Sequence, residues 1–378
     1  MKRIVILCDG TWKAAEAPEP TNVVRLAQAM RPVDPEGVEQ IPVYLEGMGT
    51  GRRGVTRIGR WVDRYVAGPL GLGLMDSVME AYRHLVFLYE PGDAVFVFGY
   101  SRGAFAARSL VGFVRHAGLL PRDRLHRLPE AVDNYTRRFL GTPEERQRRN
   151  AEWRRIHSAD VMVDPDDAEI YDRPEDAHPF RIAFLGVWDT VGALGVPSIL
   201  TARPVLGRRF AFHDTALTPM VASARHAVSI DERRLSFGPT LWTNLDALNA
   251  GRDPAPYRER WFAGDHGSVG GGGRVRGLSS IALAWMIEGA AAAGLSFDPA
   301  VVARIRAEAD PLAPPFTDDP PPGGRSAAIL RALGRERDGP RDVALVHRAA
   351  RERWARHPGP YRPGALRRLE RLLEEWRG

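Results

Sequence analysis

Gly99-Tyr100-Ser101-Arg102-Gly103 is the part of the chain whose residue types and spacing point most directly to nucleophilic chemistry. A G-x-S-x-G run is common by chance and gains weight from its flanks. Residues 93–98 (DAVFVF) read as a buried strand, and the small and apolar residues after Gly103 recur at helical spacing. A strand, a sharp turn and a helix hold such a serine in a strained conformation that points its hydroxyl off the sheet. Glycine is needed on both sides because the chain folds back too tightly for side chains. A serine hydroxyl is a weak nucleophile without a base, and the base needs a carboxylate to orient it. Of ten histidines, His266 stands between the short run ERWFAG and the glycines at 270–273, while Asp189 closes the apolar run FRIAFLGVW. Both are at expected strand ends, in the order serine, acid, histidine. Asp231 and Asp265 are competing acids, and His226, His213 and His347 are expected to be structural.

Acyl transfer also needs donors for an oxyanion. The amide of Arg102 follows the serine at the start of a helix, and a second donor is expected from Gly10 or Thr11, after the first strand. The segment Leu7-Cys8-Asp9-Gly10-Thr11 also resembles the D-x-D-G-T loop of phosphatases that use an aspartyl nucleophile, but Leu7 stands at the nucleophile's position, which removes that reading.

These residues need a scaffold of alternating strands and helices. Residues 3–8 (RIVILC) and 41–45 (IPVYL) read as further strands, a helix capped by Asn22 is expected up to Met30, and residues 75–90 look helical. Residues 219–237 look like a helix followed by an extended segment, and Ser279 is expected to cap an Ala-rich helix. In the glycine-flanked segment 57–66, Ile58, Trp61, Val62, Tyr65 and Val66 share one helical face; this suits either a lid touching lipid or a helix packed on the core. Such alternation predicts an α/β fold with a mainly parallel sheet covered on both faces. The expected organisation is one catalytic domain over 1–310, with insertions at about 47–73 and 121–180, and a Pro-rich connection with a helical extension over 311–378.

The 378 residues are 44% hydrophobic and 26% charged, a globular composition able to bury a large core. Cys8 is the only cysteine, so no intrachain disulfide and no cysteine-based zinc site is available. The net charge is +6 and, of 53 basic residues, only Lys2 and Lys13 are lysine, which raises a nucleic-acid reading. The surplus is confined to two blocks, +6 over 101–150 and +5 over 301–378, against −6 over 151–200, so no nucleic-acid partner is expected and peripheral contact with an anionic membrane is the milder implication. No run approaches the ~20 apolar residues of a membrane span, and the N-terminal apolar run is too short for a signal peptide. A cytoplasmic protein is expected, with export by a leaderless route left open.

Taken together, CDGTW at 8–12, EGMGTG at 46–51, Ala81-Tyr82, GYSRGAFAAR at 99–108, FLGVWDTVGALG at 184–195, HAVSIDERR at 226–234, WFAGDHGSVGGG at 261–272, GLSSIALAWM at 277–286 and YRP at 361–363 resemble an uncharacterised α/β-hydrolase family. That family also includes the catalytic domain of type VI secretion phospholipase effectors. The resemblance implies Ser101 as nucleophile, His266 as base and Asp189 as acid. The chain departs from the pattern at Lys13 (usually Asn), Ser268 (usually Asp) and Cys8 (usually Phe). The expected activity is hydrolysis of carboxylic esters, lipid and phospholipid esters among the candidates, with no cofactor. The alternative is a non-catalytic binding module of the same fold, for which Ser268 is the hint.

Overall fold

A computed structural model describes residues 1–10, 13–47, 72–137, 140–158, 160–164, 167, 178–192, 215–234, 237–316, 334–357 and 361–376. Six strands form one wholly parallel sheet: β1 Arg3–Cys8, β2 Gln40–Leu45, β3 Ala94–Tyr100, β4 Ile182–Trp188, β5 Ala224–Ser229 and β6 Tyr257–Phe262, in the order β2-β1-β3-β4-β5-β6. Helices α1 Asn22–Ala29, α2 Leu72–Leu88, α3 Arg102–Ala117, α4 Leu128–Thr136, α5 Pro143–His157, α6 His266–Gly270, α7 Gly277–Ala292, α8 Pro299–Glu308 and α9 Arg348–Arg356 surround it.

The central strands are apolar throughout because both faces are covered, and alternate residues serve opposite layers. Ile4, Ile6, Val95 and Val97 pack with residues of α2 and α3, such as Tyr82 and Phe113. Val5, Leu7, Phe96 and Phe98 face the other way, against α1, α7 and α8. A third cluster joins Val228, Ile230, Trp261 and Ala263 to the C-terminal residues Val346, Trp354, Leu366 and Leu373.

This is the α/β architecture expected from the sequence, with three local differences. Among the described residues of 219–237 no α-helix forms, and 224–229 is the fully buried strand β5. The polar pair Arg225 and His226 misleads the pattern, since each is satisfied inside. Arg225 donates to the Trp285 carbonyl and lies over its ring, and His226 Nδ1 is 2.9 Å from Glu259 Oε2. Helix α1 is capped by Thr21, whose hydroxyl accepts from the Val24 amide, and Asn22 instead donates to the carbonyls of Val269 and Ser279, both at 2.9 Å. Helix α7 begins before Ser279, which donates its hydroxyl to the Arg276 carbonyl. The 57–66 segment, Thr11, His213 and residues 317–324 lie outside the described residues.

Register fixes where chemistry can gather. Cys8 pairs with Gly99, Tyr100 with Trp188, and Ser229 with Phe262, so all strands end at one edge. β1 leads to β2 on one side and lies against β3 on the other, and such a reversal opens a crevice beyond the strand ends.

Candidate active site

Ser101 sits at that reversal. Its backbone has φ 60° and ψ −124°, and it is followed at once by α3. The turn needs its glycines: a Cβ at Gly103 would lie 2.3 Å from the Cys8 carbonyl oxygen, and one at Gly99 would lie 2.4 Å from that of Gly103. Among the described residues, Ser101 and Asp189 (φ 40°) are the two non-glycine residues with positive φ. Strain of this kind persists only where the surroundings over-determine it, and it clusters at functional sites.

Asp189 follows β4 and is wholly buried. Its Oδ2 lies 2.6 Å from His266 Nδ1, and its Oδ1 accepts from the Ser229 amide at 2.8 Å. Burial pushes this carboxyl up, but the Arg337 guanidinium and the His266 hydrogen bond outweigh it and hold the group well below the usual carboxylate range. An ionised acceptor at Nδ1 keeps the ring proton there and leaves Nε2 as the basic nitrogen of the neutral imidazole.

His266 is the first residue of α6. Its amide donates to Glu232 Oε2 at 3.3 Å. The Tyr100 ring stacks on the imidazole at 4.7 Å between centroids, and Phe237 meets it edge-on at 4.8 Å. The Tyr100 hydroxyl donates to the His266 carbonyl at 3.2 Å, so the residue before Ser101 holds the histidine directly. Among the described residues the Ser101 hydroxyl makes no hydrogen bond, to His266 or otherwise; without substrate such contacts are often open and tighten on binding.

The competing acids are occupied elsewhere. Asp265 caps α6, with Oδ1 2.9 Å from the Ser268 amide and 2.7 Å from its hydroxyl. Ser268 also accepts from the Phe316 amide at 2.8 Å. Asp231 accepts from the Gly264 amide at 2.6 Å and from the Tyr361 hydroxyl at 2.9 Å, so it clamps the loop that leads to His266. Burial outweighs these donors and raises its carboxyl to about 6. A folded value above the unfolded one means that its stabilising contribution is complete below about pH 4 and is lost as pH rises through 6, on the order of 3 kcal/mol. The stability of wild type relative to Asp231→Asn is therefore expected to fall between pH 4 and 7. Denaturant unfolding of both proteins across that range checks this, and a constant difference contradicts it.

Gly10 stands beside the serine: a Cβ on it would lie 3.5 Å from that of Ser101. Its amide, however, donates to Asp9 Oδ1 at 2.6 Å and is engaged there. Asp9 is a participant that the motif reading passed over. It is buried and also accepts from the hydroxyls of Thr21 and Tyr44, each at 2.8 Å, which pins the loop after β1 to α1 and β2. Arg102 opens α3, where first-turn amides point toward the serine's end of the helix. The neighbouring Cys8 thiol is pushed up to about 12 by burial and by the Asp9 charge. A thiol reagent at pH 8 is expected to leave native protein unmodified and to titrate one thiol after denaturation; prompt labelling of native protein contradicts this.

The residue no motif indicated is Arg337. Its Nη1 lies 2.6 Å from Asp189 Oδ1 and its Nη2 lies 3.0 Å from Oδ2, a buried two-pronged ion pair. Nothing in the spacing of an arginine-rich tail distinguishes it. Arg337 also lines an open pocket of about 740 Å³ with Arg233, Arg335, Arg367 and Arg368 and with the carboxylates Glu336 and Asp338. Among the described residues no cluster of three His, Cys, Asp or Glu converges as a metal site, and no helix is long and apolar enough to cross a membrane.

Comparison with known proteins adds kinship to this geometry. The family model described as "T6SS, Phospholipase effector Tle1-like, catalytic domain" matches residues 2–289. The uncharacterized protein YEL023C of Saccharomyces cerevisiae is 28% identical over 273 residues, covering 69% of this chain and 34% of that protein. An uncharacterized protein of Pseudomonas aeruginosa aligns in structure over 81% of this chain and 48% of its own, at 18% identity and a TM-score of 0.42. The Tle1 effector, solved bound to the VgrG spike of the type VI secretion system, aligns over 73% of this chain and 52% of its own, at 18% identity and a TM-score of 0.36. The chain thus spans about a third of the length of the yeast protein and about half that of the two solved chains.

Proposed function

Because this chain belongs to the family of Tle1-like phospholipase effector catalytic domains, we propose that it is a serine hydrolase of carboxylic esters, with lipid and phospholipid acyl esters as its substrate class. The observation that carries this reading is the 2.6 Å contact of His266 Nδ1 with the buried Asp189 carboxyl, set at the sheet edge where Ser101 occupies a strained elbow.

On this reading His266 Nε2 takes the proton of the Ser101 hydroxyl as its oxygen attacks the ester carbonyl. Asp189 holds the imidazole in the required tautomer and stabilises the imidazolium that forms. The Arg102 amide receives the oxyanion; Gly10 supplies room beside the serine, and Thr11 is the candidate second donor. The tetrahedral intermediate collapses as His266 gives the proton to the leaving alcohol, and an acyl-Ser101 ester remains. Water then attacks that ester, with His266 again as base, releasing the carboxylic acid and restoring the serine. None of these steps uses a cofactor.

The open pocket beside Arg337, where five arginines outnumber the carboxylates Glu336 and Asp338, supports an anionic headgroup in preference to a neutral ester alone. Arg233, Arg367 and Arg368 have no ion pair among the described residues, so their charge is available to phosphate. The test is a panel of soluble esters of increasing chain length together with zwitterionic and anionic phospholipid vesicles. Release of fatty acid, faster from anionic vesicles and slowed by salt, is the expected result. Folded protein that cleaves no carboxylic ester overturns the reading and favours a binding module built on the same fold.

A further inference from the structure

Asp189 has room for four hydrogen bonds, and all four are made. Oδ1 takes the Ser229 amide and Arg337 Nη1; Oδ2 takes His266 Nδ1 and Arg337 Nη2. Half of the acid's acceptor capacity therefore goes to one arginine, 148 residues away in sequence and outside the residues 2–289 that the family model matches. The same guanidinium donates to the Ser229 carbonyl at 2.8 Å, to the Ser229 hydroxyl at 2.7 Å and to the Phe237 carbonyl at 2.6 Å. It thus ties the end of β5 to the residue whose ring packs edge-on against His266. The Arg335 amide, donating to the Arg233 carbonyl at 2.9 Å, docks the segment that delivers it.

We propose that Arg337 is a positioning residue of the reaction centre: it locks Asp189 in its strained orientation and places a fixed positive charge across the carboxylate from His266. This rests on the ester-hydrolase reading above. A planar guanidinium matches a carboxylate with two parallel hydrogen bonds and so fixes rotation about the side chain, which an ammonium cannot do. Its positive charge also lies across the carboxylate from the imidazole, where it opposes protonation of the ring. The other charged and titratable groups facing His266 are Glu232, which accepts from its amide and is itself paired with Arg234; Asp265, committed to capping α6; and the stacked Tyr100. Glu232 is compensated by Arg234, so the cation bonded directly to the Asp189 carboxylate is Arg337. The C-terminal segment is on this account part of the active site.

Two variants separate charge from shape. Arg337→Gln keeps a donor toward Asp189 without the charge, and Arg337→Lys keeps the charge without the fork. Both are expected to lower kcat by roughly 10- to 100-fold through looser positioning of Asp189. In the pH profile of kcat/KM for a soluble ester, the acid limb of Arg337→Gln should move upward by about one unit, while that of Arg337→Lys should stay near wild type. The midpoint is read from the normalised profile, so it does not depend on how much of a variant is folded. An NMR titration of the His266 ring, assigned by its disappearance in His266→Gln, reads the same shift without any turnover. Midpoints equal to wild type in both variants, or equally shifted in both, overturn the proposal. Hydrolysis that is absent in wild type or unchanged in Ser101→Ala tells against the ester-hydrolase reading instead, and the NMR midpoint still decides the role of Arg337.

Discussion

Ser101→Gly is expected to abolish ester hydrolysis while making the protein more stable. Both effects follow from one backbone conformation. At φ 60° and ψ −124° a side chain is strained, and the turn around it is over-determined by Gly99, Gly103 and the hydrogen bond from the Ser101 amide to the Trp188 carbonyl at 3.0 Å. Glycine adopts this conformation without the Cβ penalty, so the substitution should recover about 1–2 kcal/mol of folding free energy, less what is lost to the greater freedom of the unfolded chain. Activity should meanwhile fall at least 10³-fold, leaving only what binding and the oxyanion donors provide without a nucleophile. Thermal unfolding and ester turnover on one preparation read both effects. A serine merely capping a glycine-rich turn predicts the reverse pattern, with activity kept and stability unchanged or lower.

Asp189→Asn should cost both activity and stability, and the two losses have separate causes. An amide at this position no longer dictates which nitrogen of His266 carries the proton, and in serine proteases the equivalent change lowers kcat by about 10⁴. Here the same substitution also puts an NH₂ group against the Arg337 fork or against His266, leaving a buried guanidinium without its full counter-charge. Breaking one side of a buried ion pair costs about 3–5 kcal/mol. Asp189→Asn should therefore unfold at clearly lower denaturant concentration than Ser101→Gly, with residual kcat about four orders below wild type. Normal turnover in Asp189→Asn contradicts its assignment as the acid. Normal stability with lost turnover contradicts the weight placed on Arg337.

Sequence reasoning reaches furthest where the determinants are local. The elbow is legible because strand, turn, serine and both glycines lie within a dozen residues, and because the physical need for each is independent of the rest of the fold. The strand-end positions of Asp189 and His266 are legible for a related reason: each closes an apolar run, and parallel strands end at a common edge. What tertiary packing decides is less visible. Within 219–237, expected as a helix followed by an extended segment, the strand β5 carries Arg225 and His226 inside, and only the partners brought by α7 and β6 make their burial tolerable. Gly10 has the position of an oxyanion donor, yet its amide is taken by the adjacent Asp9, a local competition that residue type alone does not reveal. Arg337 is the extreme case. Its contact with Asp189 spans 148 residues, and in a chain with 53 basic residues one guanidinium carries no distinguishing pattern. The split between Asp189, Asp231 and Asp265 is likewise a matter of partners. All three lie near the same edge, but Asp231 answers to Tyr361 and Gly264, and Asp265 to Ser268.

The most direct test is intact-mass spectrometry after exposure of the folded protein to a fluorophosphonate, which reacts with serines activated by a neighbouring base. The expected result is a single adduct, mapped to Ser101 by peptide sequencing, that is absent in Ser101→Ala and formed far more slowly in His266→Ala. No adduct on folded wild type, or an adduct that persists in Ser101→Ala, would contradict it.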